Sequence, residues 1–154
     1  MSQFLGTHQN RLDAKGRVSI PAQFRTVLRA GGNGEAGTSL VLRPSHKHAC
    51  IEAWPANAFA ALATPLDRLD VFSDEHDDFA TALYADAYPL EADKEGRIVL
   101  PAPLAEHANL NGLVEFMGTG KSFQIWEPVA AERRRAEARE NTRNRKTGLV
   151  GAAA

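Results

Sequence analysis

The chain has one cysteine, Cys50, so no internal disulfide framework can form. Aromatic residues make up only 7% of the 154 residues. No apolar run approaches the length that would cross a membrane. The start, Met1-Ser2-Gln3-Phe4-Leu5-Gly6, lacks the basic-then-apolar pattern of a secretory signal. Phosphate-cradling glycine loops, nucleophile elbows and zinc-protease motifs are also missing. These absences point away from a secreted protein and from an enzyme, and toward a cytoplasmic protein with no cofactor, no small-molecule substrate and no membrane partner. Excess charge of one sign is lacking too, for the net charge is −1.

That near-zero total hides a segregation. Residues 1–50 carry seven Lys/Arg against two Asp/Glu, and residues 67–95 carry two against ten. Residues 131–154 return to seven basic against three acidic residues. A basic working face for a polyanion is compatible with such a total, as are solvated helix and loop surfaces.

What the sequence does have is an internal repeat. Asp13-Ala14-Lys15-Gly16-Arg17-Val18-Ser19-Ile20-Pro21-Ala22 aligns without a gap on Asp93-Lys94-Glu95-Gly96-Arg97-Ile98-Val99-Leu100-Pro101-Ala102, an offset of 80. Gly16 and Gly96 stand where a tight turn needs a positive φ. Asp13 and Asp93 can close that turn by accepting backbone N–H groups, and each can also pair with the arginine four residues on. A short β-prone run follows each glycine. Pro21 and Pro101 are expected at the first position of a following helix. The first such helix shows a stripe of Phe24, Val27 and Leu28.

Two further strands follow in each copy, ending near Trp54-Pro55 and Trp126-Glu127-Pro128. Those prolines are 73 residues apart, so the first copy holds about seven extra residues. The glycine-rich stretch 31–37 is the expected place, as a mobile hairpin loop. The chain is therefore divided into a first repeat (4–56), connecting helices (57–86), a second repeat (87–129) and a basic helical to disordered tail (130–154). Helices are expected over 57–69, with Phe59, Leu62 and Leu66 as apolar anchors, and over 74–86, with Phe79 and Leu83. A basic helix is expected over 129–145, and disorder beyond it. The class is mainly β with flanking helices (α+β). About 45 residues make a poor core alone, so the two repeats are expected to close into one barrel.

The paired motifs, Leu12-Asp13-Ala14-Lys15-Gly16-Arg17-Val18-Ser19-Ile20-Pro21 and Asp93-Lys94-Glu95-Gly96-Arg97, resemble those of the MraZ family of transcriptional regulators. The resemblance runs from about residue 4 to residue 130, including the opening Phe4-Leu5-Gly6. A single copy would suggest only the wider AbrB-like class, which includes antitoxins. The resemblance implies two AbrB-like repeats forming one pseudo-two-fold swapped-hairpin β-barrel. It implies a homo-oligomeric ring that binds short direct repeats in double-stranded promoter DNA. It also implies a nucleoid-associated repressor of its own promoter and of a division and cell-wall gene cluster. Lys15 and Arg17 match the family's basic positions, and Asp13 positions the turn. This chain departs in having Leu5 where a basic residue is common, and Glu95 where the first copy has Lys15.

For DNA, Lys15 can neutralise phosphate, and Arg17 can grip phosphate or pair with guanine O6 and N7. Arg11, Asn10 and His8 on the approaching strand can add contacts. Asp13, Gly16, Asp93, Gly96 and Arg97 are assigned to the turns themselves, and Glu95 makes the second turn the more structural one. The competing reading of Asp13 and Arg17 is a turn-closing ion pair. Among other motifs, His46-Lys47-His48 lacks a third metal ligand, so no metal is expected. The acidic run 74–78 reads as a helix start, Cys50 as core, and Arg133, Arg134 and Arg135 as a helix face. The alternative function is an AbrB-like protein-binding module, such as an antitoxin-type partner.

Overall fold

The structure is a computed structural model, and it describes residues 2–32 and 38–145. The first repeat supplies strands β1 (Thr7–Arg11) and β2 (Arg17–Ser19), helix α1 (Ala22–Ala30), and strands β3 (Ser39–Pro44) and β4 (Ile51–Pro55). Helix α2 (Ala56–Ala61), a 3₁₀ turn (Thr64–Arg68) and helix α3 (Asp74–Tyr84) follow. The second repeat supplies β5 (Tyr88–Glu91), β6 (Arg97–Val99), α4 (Ala102–His107), β7 (Leu113–Gly118) and β8 (Phe123–Trp126). Helix α5 (Pro128–Asn144) completes the described chain.

Local chemistry explains most of these boundaries. Pro21 and Pro101 sit one place earlier than expected, as N-caps with φ of −51° and −56° and extended ψ. The ring's fixed φ suits that position, and the Pro21 carbonyl accepts the N–H of Phe24 and Arg25 at 2.9 and 3.0 Å. The helix expected over 57–69 is broken. Pro65 has no N–H to continue the α-ladder, so the chain tightens into the 3₁₀ turn. Helix α3 begins at Ser73, whose hydroxyl accepts the N–H of His76 at 3.1 Å. Asp74, Glu75 and Asp77 occupy its first turn, where carboxylates complement the helix dipole. Of the anchors expected in this connection, Phe59 and Leu83 are buried; Leu62, Leu66 and Phe79 are only half-buried.

The strands of the two repeats interleave. Six of them form one antiparallel sheet in the order β1-β7-β8-β4-β3-β5, and β2 pairs with β6 in a separate ribbon. Exchanging the repeats reverses this order and leaves it otherwise unchanged, as a pseudo-two-fold requires. The axis passes through two cross-repeat pairs, Val18 with Ile98 and Glu52 with Gln124. Backbone bonds obey the same symmetry: Ile20 N–H donates to Gly96 O and Leu100 N–H to Gly16 O, both at 2.8 Å. The tryptophans also correspond, each indole donating to the side chain two residues before it. The closing prolines do not. Pro55 caps α2, whereas Glu127 caps α5 and Pro128 is the first residue inside that helix. The repeats therefore align on Trp54 and Trp126, not on proline. Residues 33–37 of the expected hairpin loop and the tail beyond 145 lie outside the described residues.

The sequence led us to expect a closed barrel, whereas the six-stranded sheet is open, with β1 and β5 at its ends. Each tight turn throws β2 or β6 out of the sheet, where the two pair with each other. Their inward residues Val18 and Ile98 join a core that includes Phe4, Phe24, Leu40, Leu42, Ile51, Val114, Phe116, Phe123 and Ile125. Phe4, Phe24 and Phe123 meet with ring centroids 5.0–5.3 Å apart. Each such ring contributes on the order of 2–3 kcal/mol by leaving water. A smaller cluster of Cys50, Met117, Trp126 and Ala131 fixes the start of α5. Burial pushes the Cys50 thiol up to about 12, so this cysteine behaves as a small apolar residue.

Candidate nucleic-acid interface

The two turns are built alike. Asp13 Oδ1 accepts the backbone N–H groups of Lys15 and Arg17 at 2.9 and 2.8 Å, and Oδ2 accepts Arg17 Nε at 2.8 Å. Asp93 binds Glu95 N–H, Arg97 N–H and Arg97 Nε, each at 2.9 Å. Gly16 and Gly96 close the turns with φ of +80° and +78°, a region other residues enter only with strain. In each copy the backbone N–H of the arginine does most to hold the aspartate carboxyl below the usual carboxylate range. The arginine side chain and the N–H two residues after the aspartate add to this.

So the ion pair that competes with a binding role is present in both copies. It engages only Nε of each guanidinium. Among the described residues, the terminal nitrogens of Arg17 have no ion-pair partner. In the second copy Arg97 Nη2 is taken by Glu95 Oε2 at 2.5 Å. The substitution of Glu95 for Lys15 thus removes a cation and draws in the neighbouring one.

Strand geometry sets the direction of these groups. Val18 and Ile98 point inward, so Arg17, Ser19, Arg97 and Val99 share the outward face of the ribbon. Arg17 stands opposite Val99 and Arg97 opposite Ser19, which puts the arginines in diagonal positions. Diagonal neighbours lie about 7–8 Å apart. Lys15 is exposed beside Arg17 at the tip. The face therefore offers, at Arg17, a planar donor edge of a shape that fits phosphate or a guanine edge, while the matching edge of Arg97 is partly taken by Glu95.

The approaching strand divides by parity. Arg11 is exposed, whereas His8 and Asn10 point inward and are half-buried. Asn10 Nδ2 donates to Ser19 O at 2.6 Å, tying β1 to β2. The His8 ring meets Phe24 edge-on with centroids 5.1 Å apart, and its Nε2 lies 3.3 Å from Leu5 O. The structure brings Lys15 and Arg17 together at the turn and places His8 and Asn10 behind it. Arg25, which lies outside the repeated motif, reaches from α1 to the second turn and donates from Nη1 to Glu95 O at 3.1 Å. Its only sequence signal is its place beside Phe24, on the edge of the buried stripe.

The remaining motifs fall elsewhere. His46 lies against Arg43, with Nη2 to Nε2 at 3.3 Å. Among the described residues no three His, Cys, Asp or Glu side chains converge as a metal site. Arg134 pairs with Glu137 at 2.7 Å, and Arg135 with the buried Glu115 at 2.8 Å. Among the described residues no helix is long and apolar enough to cross a membrane.

Known proteins resemble this chain over nearly its whole length. The family model of the MraZ protein, described as antitoxin-like, matches residues 3–81 and again 83–151. A transcriptional regulator MraZ of Gluconacetobacter diazotrophicus is 71% identical over 150 residues, covering 97% of this chain and 92% of that protein. Its namesake in Gluconobacter oxydans is 59% identical over 155 residues, covering 100% and 93%. Another, in Pelagibacter ubique, is 37% identical over 147 residues, covering 95% and 92%.

Proposed function

The chain belongs to the MraZ family, and from that premise we propose that it regulates transcription by binding double-stranded DNA through the outward face of the β2–β6 ribbon. The observation that carries this reading is the pair of diagonal arginines on one outward face, with Lys15 beside the one whose terminal nitrogens, among the described residues, are not ion-paired. Lys15 neutralises a phosphate. Arg17, aimed by Asp13 through Nε, presents its outer edge to phosphate or to guanine. Arg11 adds charge from β1, and Asn10 and His8 support the turn from behind. No catalytic step, cofactor or metal is part of this function.

One ribbon is a small reading surface. A ring of identical subunits facing short direct repeats multiplies it, because each added contact forms at high effective concentration. On this reading the protein is a cytoplasmic, nucleoid-associated repressor of its own promoter and of a division and cell-wall gene cluster. Arg17→Ala is expected to abolish specific binding in a gel shift on the chain's own upstream DNA while the oligomer persists. Unchanged binding would refute the assignment.

The exposed pair Val71 and Phe72, at 61% and 93% exposure, favours a second reading, a protein-binding module of antitoxin type. Titration with salt separates the two. Phosphate contacts make affinity fall steeply as salt rises, whereas the module would not bind this DNA even at low salt.

A further inference from the structure

The two turns differ in charge. Asp13-Ala14-Lys15-Gly16-Arg17 sums to +1, and Asp93-Lys94-Glu95-Gly96-Arg97 sums to zero. Taken alone, the second turn is the poorer partner for a phosphate. Arg25 alters that balance from a distant part of the chain. Its Nη1 donates to Glu95 O across 70 positions of sequence. Its side chain lies so close over Gly96 that a Cβ there would fall 2.3 Å from Nη1 and 2.4 Å from Cδ. Only glycine leaves room for this arm.

The first turn has nothing equivalent. The position matching Arg25 is Ala105, and a Cβ on Gly16 would meet only Leu100 O at 3.6 Å and Val99 Cγ1 at 3.9 Å. Arg25 Nε is buried with no hydrogen-bond partner, and among the described residues its guanidinium makes no ion pair. A half-buried cation held by one carbonyl is an incompletely compensated charge. Nε is out of reach of solvent, so an arriving anion would compensate the charge at the terminal nitrogens.

We infer that Arg25 is a phosphate-binding residue of the DNA interface, supplying the second turn with the positive charge that Lys15 supplies to the first. With Arg25 counted, both turns carry +1, and the ribbon meets DNA with matching charge on either side of its pseudo-two-fold. The second turn then contacts DNA in its own right. This inference rests on the DNA-binding reading of the ribbon.

The test compares the full chain with Arg25→Met, which keeps an apolar arm over Gly96, and Arg25→Lys, which keeps the charge. Each binds a duplex of the chain's own upstream region and a scrambled duplex of equal length, across a salt series. Arg25→Met is expected to weaken both duplexes by the same factor and to lower the slope of log affinity against log salt by about 1 for each subunit engaged on the duplex. Arg25→Lys is expected to keep the slope, and both variants to melt with the parent. An unchanged slope in Arg25→Met overturns the inference. So does a slope lost together with melting temperature and not restored by Arg25→Lys, which would assign a structural role. If the parent chain itself shows no salt-dependent binding, the DNA reading fails. If the parent binds and Arg17→Ala does not, an unaltered Arg25→Met removes this inference alone.

Discussion

One carboxylate in each turn gathers three N–H groups, and this makes Asp13 and Asp93 sensitive to acid. Their folded values lie below the ordinary 3.8, so the stability they contribute is complete above that value. It is lost as pH falls through the lowered folded values. The double variant Asp13→Asn, Asp93→Asn should therefore flatten the acid limb of a plot of urea midpoint against pH, with parallel curves above about pH 5. Gly16→Ala and Gly96→Ala should each cost about 1–2 kcal/mol through backbone strain alone. Gly96→Ala should cost more, because its methyl group also displaces Arg25; urea unfolding measures both. The turn-closing contacts of the aspartate, glycine and arginine were legible because the motif occurs twice. The placement of His8 and Asn10 was not. Period-2 alternation gives two choices of inner face, and only the packing of His8 on Phe24 and the bond from Asn10 to Ser19 select one.

Helix α5 is the element whose attachment the sequence concealed. The helix was expected from residue 129 and begins one place earlier, at Pro128, where Glu127 caps it by accepting the N–H groups of Val129 and Ala130. Its basic residues read as a solvated face, yet Arg135 reaches the carboxylate of Glu115 on β7, which Gln9 of β1 also binds at 3.0 Å. Glu115 is buried, at 6% exposure, so it needs both donors. Arg135→Ala should destabilise the fold by about 1–3 kcal/mol. Adding Glu115→Gln should recover part of that loss, a non-additivity that a double-mutant cycle on urea midpoints measures. The connecting helices were legible as helices but not in their break, which Pro65 imposes, nor in their shallow burial. Hydrophobic spacing marks a stripe without stating what covers it. The register of the two repeats was hidden for a related reason, since proline recurs at both closures but in different roles.

Across the whole molecule, the basic first 50 residues and the acidic stretch 67–95 meet where Arg25 reaches Glu95 O and Arg43 reaches Ala82 O. A ring of subunits should appear in size-exclusion chromatography with light scattering as a multiple of 16.7 kDa, unchanged by Arg17→Ala. The presence of two repeats was plain in the sequence; how their strands pair was not. Nothing local says that β1 pairs with β7 rather than with β2, for the two partners differ only in tertiary context. Closure of the sheet was likewise a matter of global geometry. The interleaving has a consequence for how the chain is made. Thr7 waits for Met117, and Arg17 for Val99, so the first repeat leaves the ribosome with its strands β1 and β2 unmatched. Closure of the core thus waits for the second repeat, and a message cut short before β6 leaves both β1 and β2 without a ladder to join, while β3 and β4 can still pair with each other.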